Sequence, residues 1–140
     1  MNWTLEVVII PVTDIDRAKA FYAEGLGFDI DHDSHFGDAG RMVQATPPGS
    51  GCSIVFGAGP GLPDMEPGSV KGVQLVVNDI RAAHAELTGR GVDVSPVQVA
   101  SPQGFRPATP EDTDLNNVGF FAFDDPDGNS WAVQEISGRE

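Results

Sequence analysis

Residues 7–22, VVIIPVTDIDRAKAFY, decide the fold, because the chain says nearly the same thing again over residues 73–87 as VQLVVNDIRAAHAEL. Placing Val12 on Val77 also places Asp14 on Asp79, Ile15 on Ile80, Ala18 on Ala83 and Ala20 on Ala85. After a one-residue gap, GFDI (residues 27–30) lies on GVDV (residues 91–94). Each copy holds a β-rich apolar run, a polar break, an amphipathic stretch, a glycine and a further short strand. Self-similarity of this kind marks a duplicated supersecondary unit.

In the first copy, residues 5–12 are apolar apart from Glu6 and rich in β-branched side chains, which predicts a buried strand. Thr13 is a candidate N-cap for a helix whose apolar face carries Ile15, Ala18, Phe21 and Tyr22. Gly25 and Gly27 end it. A strand over residues 28–33 leads to a polar loop holding His32 and His35. Two further strands, 41–46 and 52–57, flank the hairpin signal Pro47-Pro48-Gly49-Ser50-Gly51. The Gly- and Pro-rich run that follows reads as a linker, giving modules over about 3–57 and 70–137 with residues 58–69 between them. Its Gly57-Ala58-Gly59-Pro60-Gly61 is no dinucleotide fingerprint, since no helix can start in a proline-studded run.

The second copy repeats the order. A strand (73–77) precedes a helix capped by Asn78 or Asp79, with Ile80, Ala83 and Leu87 inward and Gly91 closing it. A strand over 92–99 is followed by a polar loop, 101–117, which holds Phe105, Arg106 and three prolines. Loops of this length in compact domains often bind or cover ligands. The last hairpin (118–123 and 130–136) turns at Asp125-Pro126-Asp127-Gly128.

Composition bounds the partners. The 140 residues suit one domain or two small modules, and 40% hydrophobic with 21% charged residues is globular. No apolar run reaches the roughly 18 residues of a membrane span, and no secretory signal pattern opens the chain, so a cytoplasmic location is expected. Cys52 is the only cysteine, which excludes an internal disulfide and suits a reducing compartment. A net charge of −13 repels phosphate backbones and argues against nucleic acid. The same charge makes a soluble acidic surface or attracts a cationic ligand.

VTDIDRAKAFYAEGLGFDI, its degenerate second copy and FDDPDGNSWAVQEI near the C-terminus together resemble the vicinal oxygen chelate superfamily. That group includes glyoxalase I, extradiol dioxygenases, fosfomycin-modifying enzymes and bleomycin-resistance binding proteins. The resemblance implies an α+β fold of two tandem βαβββ modules that form an open, cup-shaped, partly closed β-barrel, often completed in a homodimer. It leaves function open, because one fold hosts several chemistries.

The family's metal positions carry over residue by residue. The first ligand stands five positions before the valine of the V-x-D turn, which gives Val7 and, in the second copy, Gly72. The last lies four residues after the glycine of DPDG, which gives Ala132, and pairing Pro48 with Pro126 gives Ile54. None of these four offers a donor, so no metal and no cofactor are expected. His32 and His35, with Asp31, Asp33 and Asp38 nearby, read as solvated loop residues, His84 as a surface histidine and Cys52 as a small core residue. Asp125-Pro126-Asp127-Gly128-Asn129 lacks the glycine and bidentate glutamate of a calcium loop, with Ser130 and Ile136 in their places.

Strand alternation then sets which side chains face the implied cup. Val7 brings Ile9 and Pro11, Gly72 brings Gln74 and Val76, Ala132 brings Ser130 and Gln134, and Ile54 brings Cys52 and Phe56. Met42, Gln44, Phe120 and Ala122 extend the wall, Phe105 closes over it, and Trp131 takes the opposite parity beneath a helix. The expected ligand-binding set is therefore Val7, Ile9, Met42, Gln44, Ile54, Phe56, Gln74, Phe105, Phe120, Ala132 and Gln134, with no catalytic residue. Gln74 and Gln134, placed in an apolar cup, call for water or a ligand as hydrogen-bond partner. Two functions compete, beside a blander reading as a small dimeric accessory domain without a ligand of its own. One is a metal-independent binder that sequesters an apolar or planar compound such as an antibiotic. The other is a metal-independent isomerase or lyase acting on a small carbonyl compound, with Glu6, Glu135, Arg41 or Arg106 as its acid or base.

Overall fold

The computed structural model describes residues 1–138. The chain divides into two compact units: Met1–Val70 with Asp125–Asn129, and Lys71–Asp124 with the chain from Ser130. The class is α+β, with nine strands in two sheets among the described residues.

The first unit runs β1 (Val7–Ile9), α1 (Ile15–Ala20), a π-helical turn (Phe21–Gly25), β2 (Asp29–His35), β3 (Arg41–Thr46) and β4 (Ser53–Ala58). Its sheet order is β1-β4-β3-β2, with β1 parallel to β4. The second runs β5 (Val73–Val77), α2 (Ile80–Gly89), β6 (Gln98–Ser101), β7 (Gly104–Pro107), β8 (Gly119–Asp124) and β9 (Ser130–Glu135), in the order β5-β9-β8-β6-β7. The duplication is thus real at the level of topology. β1, β4, β3 and β2 correspond to β5, β9, β8 and β6, and β7 is an added edge strand.

Several sequence expectations shift. Asp14, not Thr13, caps α1, accepting from the Arg17 amide at 3.0 Å. Thr13 instead donates its hydroxyl to Asp127 at 2.7 Å. Asp79 caps α2 through the Ala82 amide, and Glu135 accepts from the Ile80 amide at 3.0 Å, satisfying a second orphan N–H of that helix start. His32 and His35 lie within β2 rather than in a loop. Residues 92–97 hold only the Val94–Phe123 bridge, and the expected loop 101–117 contains β7. Pro107 fits there because an edge strand can lack an N–H without losing a ladder bond.

Each unit buries one sheet face against its own helix. In the first, Ile10, Ala18, Tyr22, Val43, Ala45, Ile54 and Phe56 are buried. Tyr22 lies between Phe28 and Phe56, with ring centroids 5.8 and 5.6 Å away. Its hydroxyl donates to Asp125 Oδ2 at 2.8 Å. Asn129 Nδ2 donates to Asp125 Oδ2 and to the Pro11 carbonyl, both at 2.8 Å, so every polar group of this buried cluster has a partner. In the second unit Phe121, Phe123, Trp131 and Val133 are buried with Ile80 and Leu87 of α2, and Phe123 stacks on Trp131 at 5.9 Å. His84 is half-buried, not a surface residue: its ring meets Phe121 edge-on at 5.3 Å, and Nε2 lies 3.0 Å from the Ser95 carbonyl.

Candidate ligand site on the second sheet

Directly paired residues in a sheet present their side chains on the same face, so register sorts the candidates. In the second unit Gln74 pairs with Ala132, Ala132 with Ala122, Gln134 with Phe120, and Phe120 with Gln98. All lie on the face away from α2. Phe105 joins them through its pairing with Ala100, two residues along β6 from Gln98. Its ring stands edge-to-face on Phe120 at 5.4 Å and 85°, and 61% of the residue is exposed.

A cavity of about 350 Å³ opens here, lined by Ser95, Gln98, Phe105, Phe120, Phe121, Ala122 and Ala132. The paired alanines make the depression, because each stops at Cβ where neighbours carry long side chains. Ser95 Oγ accepts from the Ala122 amide at 2.8 Å and is tied up. Gln98 forms no side-chain hydrogen bond among the described residues, so its carboxamide is the group left to orient a ligand. Sequence reasoning missed Ser95 and Gln98. Both lie in the expected strand over 92–99, whose faces were not assigned; Gln98 shares the face of Phe120 through their pairing, and Ser95 lies ahead of β6.

Gln74 and Gln134 satisfy each other instead of awaiting a ligand. Gln74 Nε2 donates to Gln134 Oε1, and Gln134 Nε2 donates to the Asn117 carbonyl at 2.8 Å. Their presence on this face therefore does not by itself require water or a ligand.

In the first unit Val7 pairs with Ser53, Ile9 with Val55, Gln44 with Val55 and Met42 with Gly57. Val7, Ile9, Met42 and Gln44 thus share the face away from α1, as their parity required. Ile54 and Phe56 do not: they are 3% and 0% exposed, on the α1 side against Tyr22. The loop between β3 and β4 is one residue longer than Asp125–Asn129, and a slip of one residue moves every side chain to the other face. Val55, not Ile54, is the true counterpart of Ala132. Ile9 also borders a cavity of about 260 Å³ between the ends of β1 and β4 and residues 59–65.

The acid and base candidates have structural work or no setting. Glu135 caps α2, and Glu6 is exposed ahead of β1. Arg41 bonds Asp33 at 2.9 Å and Asp16 at 2.7 Å, on the α1 side. Those bonds raise the Arg41 pKa, and the Arg41 and Lys19 bonds hold Asp33 well below the usual carboxylate range. Arg106 grips Asp112 with two bonds, at 2.9 and 2.6 Å; its guanidinium and the Thr109 amide keep Asp112 low in turn.

The model of the Glyoxalase/Bleomycin resistance protein/Dioxygenase superfamily matches residues 4–133. The chain belongs to this superfamily. Among solved structures of the superfamily type, TnmS3, an antibiotic binding protein from Streptomyces sp. CB03234, is 33% identical with a TM-score of 0.72, covering 97% of this chain and 98% of that one. A glyoxalase/bleomycin resistance protein from the same organism is 34% identical, TM-score 0.68, over 94% and 99%. A superfamily member from Sphaerobacter thermophilus DSM 20745 is 27% identical, TM-score 0.72, over 96% and 98%. No curated protein matches the sequence.

Superfamily enzymes of the glyoxalase I type imply a divalent metal, and the donor set here does not fit one. With the register corrected, the four ligand positions are Val7, Val55, Gly72 and Ala132, none with an oxygen, nitrogen or thiolate donor. Among the described residues no three His, Cys, Asp or Glu side chains are placed to hold an ion. Likewise, no helix among them is long and apolar enough to cross a membrane.

Proposed function

We propose that the chain is a metal-independent small-molecule-binding protein of the glyoxalase/bleomycin-resistance type, which sequesters an apolar or planar compound such as an antibiotic. The observation that carries this is the cavity on the second sheet, where two phenylalanines wall a floor of paired alanines and one free carboxamide offers orientation. Apolar walls with few polar groups describe a ligand pocket. Phe105 and Phe120 supply aromatic surface for a flat ring, and excluded water supplies affinity. The likeness to an antibiotic binding protein over nearly the whole chain supports the same reading. So does the engagement of Glu135, Arg41 and Arg106 in structural bonds, which leaves only Glu6, exposed ahead of β1, among the acid and base candidates of a metal-free isomerase or lyase. A cytoplasmic homodimer that turns nothing over completes the proposal, with Val7, Ile9, Met42 and Gln44 as further candidate contacts.

Calorimetric titration with planar polycyclic probes tests it. Binding that disappears in Ala122→Leu, with the fold intact by circular dichroism, is the expected result. Binding unaffected by filling the cavity would remove this site from consideration.

A further inference from the structure

The far face of the second sheet does not end at the alanines. One same-face step beyond Ala122 on β8 stands Asp124, paired with Ser130, which is one step beyond Ala132 on β9. Two residues along a strand are about 7 Å. Asp124 is exposed, its Oδ1 accepts from Ser130 Oγ at 2.9 Å, and its Oδ2 has no partner among the described residues. Asp124 forms no ion pair among those residues, whereas Asp33, Asp112 and Asp127 each hold a cation. The register equivalent in the first unit is Thr46, which meets Ser53 as Asp124 meets Ser130, and whose hydroxyl donates to Asp31 of the neighbouring strand β2. In the second unit the carboxylate belongs to β8 itself, the strand that carries Phe120 and Ala122.

We infer that the ligand is a flat aromatic system bearing a basic amine, with the ring over Ala122 and Ala132 against Phe120 and Phe105 and the ammonium on Asp124. This rests on the pocket reading above and narrows it to one ligand class. An ammonium about 7 Å from the ring centre reaches Asp124 while the ring keeps its aromatic contacts. The excess of acidic side chains, net −13, raises the local concentration of such a cation during encounter. Anionic planar compounds are disfavoured by the same field.

The test uses two probes that differ in one group: an acridine carboxamide with an aminopropyl arm, and its hydroxypropyl counterpart. Binding to the full chain is measured by calorimetry at about pH 8, where a primary amine is charged and the acridine ring is not. The ammonium probe should bind about tenfold more tightly, an advantage that shrinks as salt rises. Asp124→Asn should lower its affinity about tenfold and change that of the hydroxyl probe less than twofold. Ala122→Leu should abolish both. If the hydroxyl probe binds and the ammonium probe gains nothing, or Asp124→Asn leaves the gain in place, the charged contact is refuted and the pocket stands. If neither probe binds, or Ala122→Leu weakens neither, the pocket itself is refuted and the proposal falls with it.

Discussion

At equivalent register positions the first unit carries Met42, Gln44 and Val55 where the second carries Phe120, Ala122 and Ala132. The four shared strands follow the same plan, and the second unit adds β7, which brings Phe105 to the cavity. On the shared strands the second unit has lost two side chains beyond Cβ and gained Phe120 beside them. On the helix-covered faces the duplication is treated differently. Tyr22 of the π-helical turn after α1 corresponds to Leu87 of α2, while Ala45 and Ile54 correspond to Phe123 and Trp131. Bulk has moved from helix to sheet, and both cores stay filled, as close packing demands. A face that must be filled tolerates exchange of volume; a face that need not be filled can be carved.

The largest effects should therefore come from the filled faces. Phe56→Ala and Trp131→Ala each remove a side chain that is 0% or 2% exposed, and each should cost about 3–5 kcal/mol in denaturant unfolding. Phe56 is the sharper case. Its parity by sequence placed it in a binding wall, and its contact with Tyr22 places it in the core. A Phe56→Leu variant that keeps its stability but loses ligand would reverse the corrected register of β4.

That slip shows what was legible. The repeat gave the order of elements, the α+β class and the equivalence of the two helices, because hydrophobic period survives sequence divergence. Val73–Val77 is the strand the pattern predicts, to the residue. Register within the β3–β4 hairpin was not legible, since one extra loop residue is invisible to alternation yet inverts Ile54 and Phe56. The cavity was half legible. Phe105, Phe120 and Ala132 were expected there, but Phe105 arrives on β7, a strand hidden by Pro107, and Gln98 arrives by its pairing with Phe120 on a strand whose faces were not assigned. The glutamine pair misled for a physical reason: two polar groups across adjacent strands can satisfy each other.

Exchanging the far faces breaks the comparison most directly. Ala122→Gln with Ala132→Val installs the first unit's side chains in the second. Both sites are exposed or half-buried, so stability should change by less than about 1 kcal/mol, while affinity for a planar probe should fall at least tenfold. Unaltered affinity would mean that the difference between the faces has no functional content.

The units also share an acid dependence. Asp33 in the first and Asp112 in the second are both held below their ordinary range by an arginine. A depressed folded pKa stabilises above the unfolded value, about 3.9, and that contribution is lost as pH falls below it. Denaturation midpoints should be level through neutral pH and drop below about pH 4. Asp33→Asn and Asp112→Asn should each flatten the drop and lower the plateau slightly. A plateau that Asp112→Asn leaves untouched would show that the Arg106 clamp contributes nothing to the second unit.

The smallest effect belongs to Gln74 and Gln134, and it separates structure from recognition. Gln134 both accepts from Gln74 and donates to the Asn117 carbonyl, so Gln134→Ala removes two bonds at a half-buried position. The cost should be about 0.5–1.5 kcal/mol. Gln74 is exposed, and water replaces its bond, so Gln74→Ala should cost less than about 0.5 kcal/mol. Neither should change the affinity for a planar probe by more than about twofold, because the pair is self-satisfied and lies outside the lining of the cavity. Gln98→Ala, by contrast, should weaken binding several-fold with no loss of stability. If Gln134→Ala weakened binding more than Gln98→Ala, the ligand would lie toward β5, and the alanine floor would not be its seat.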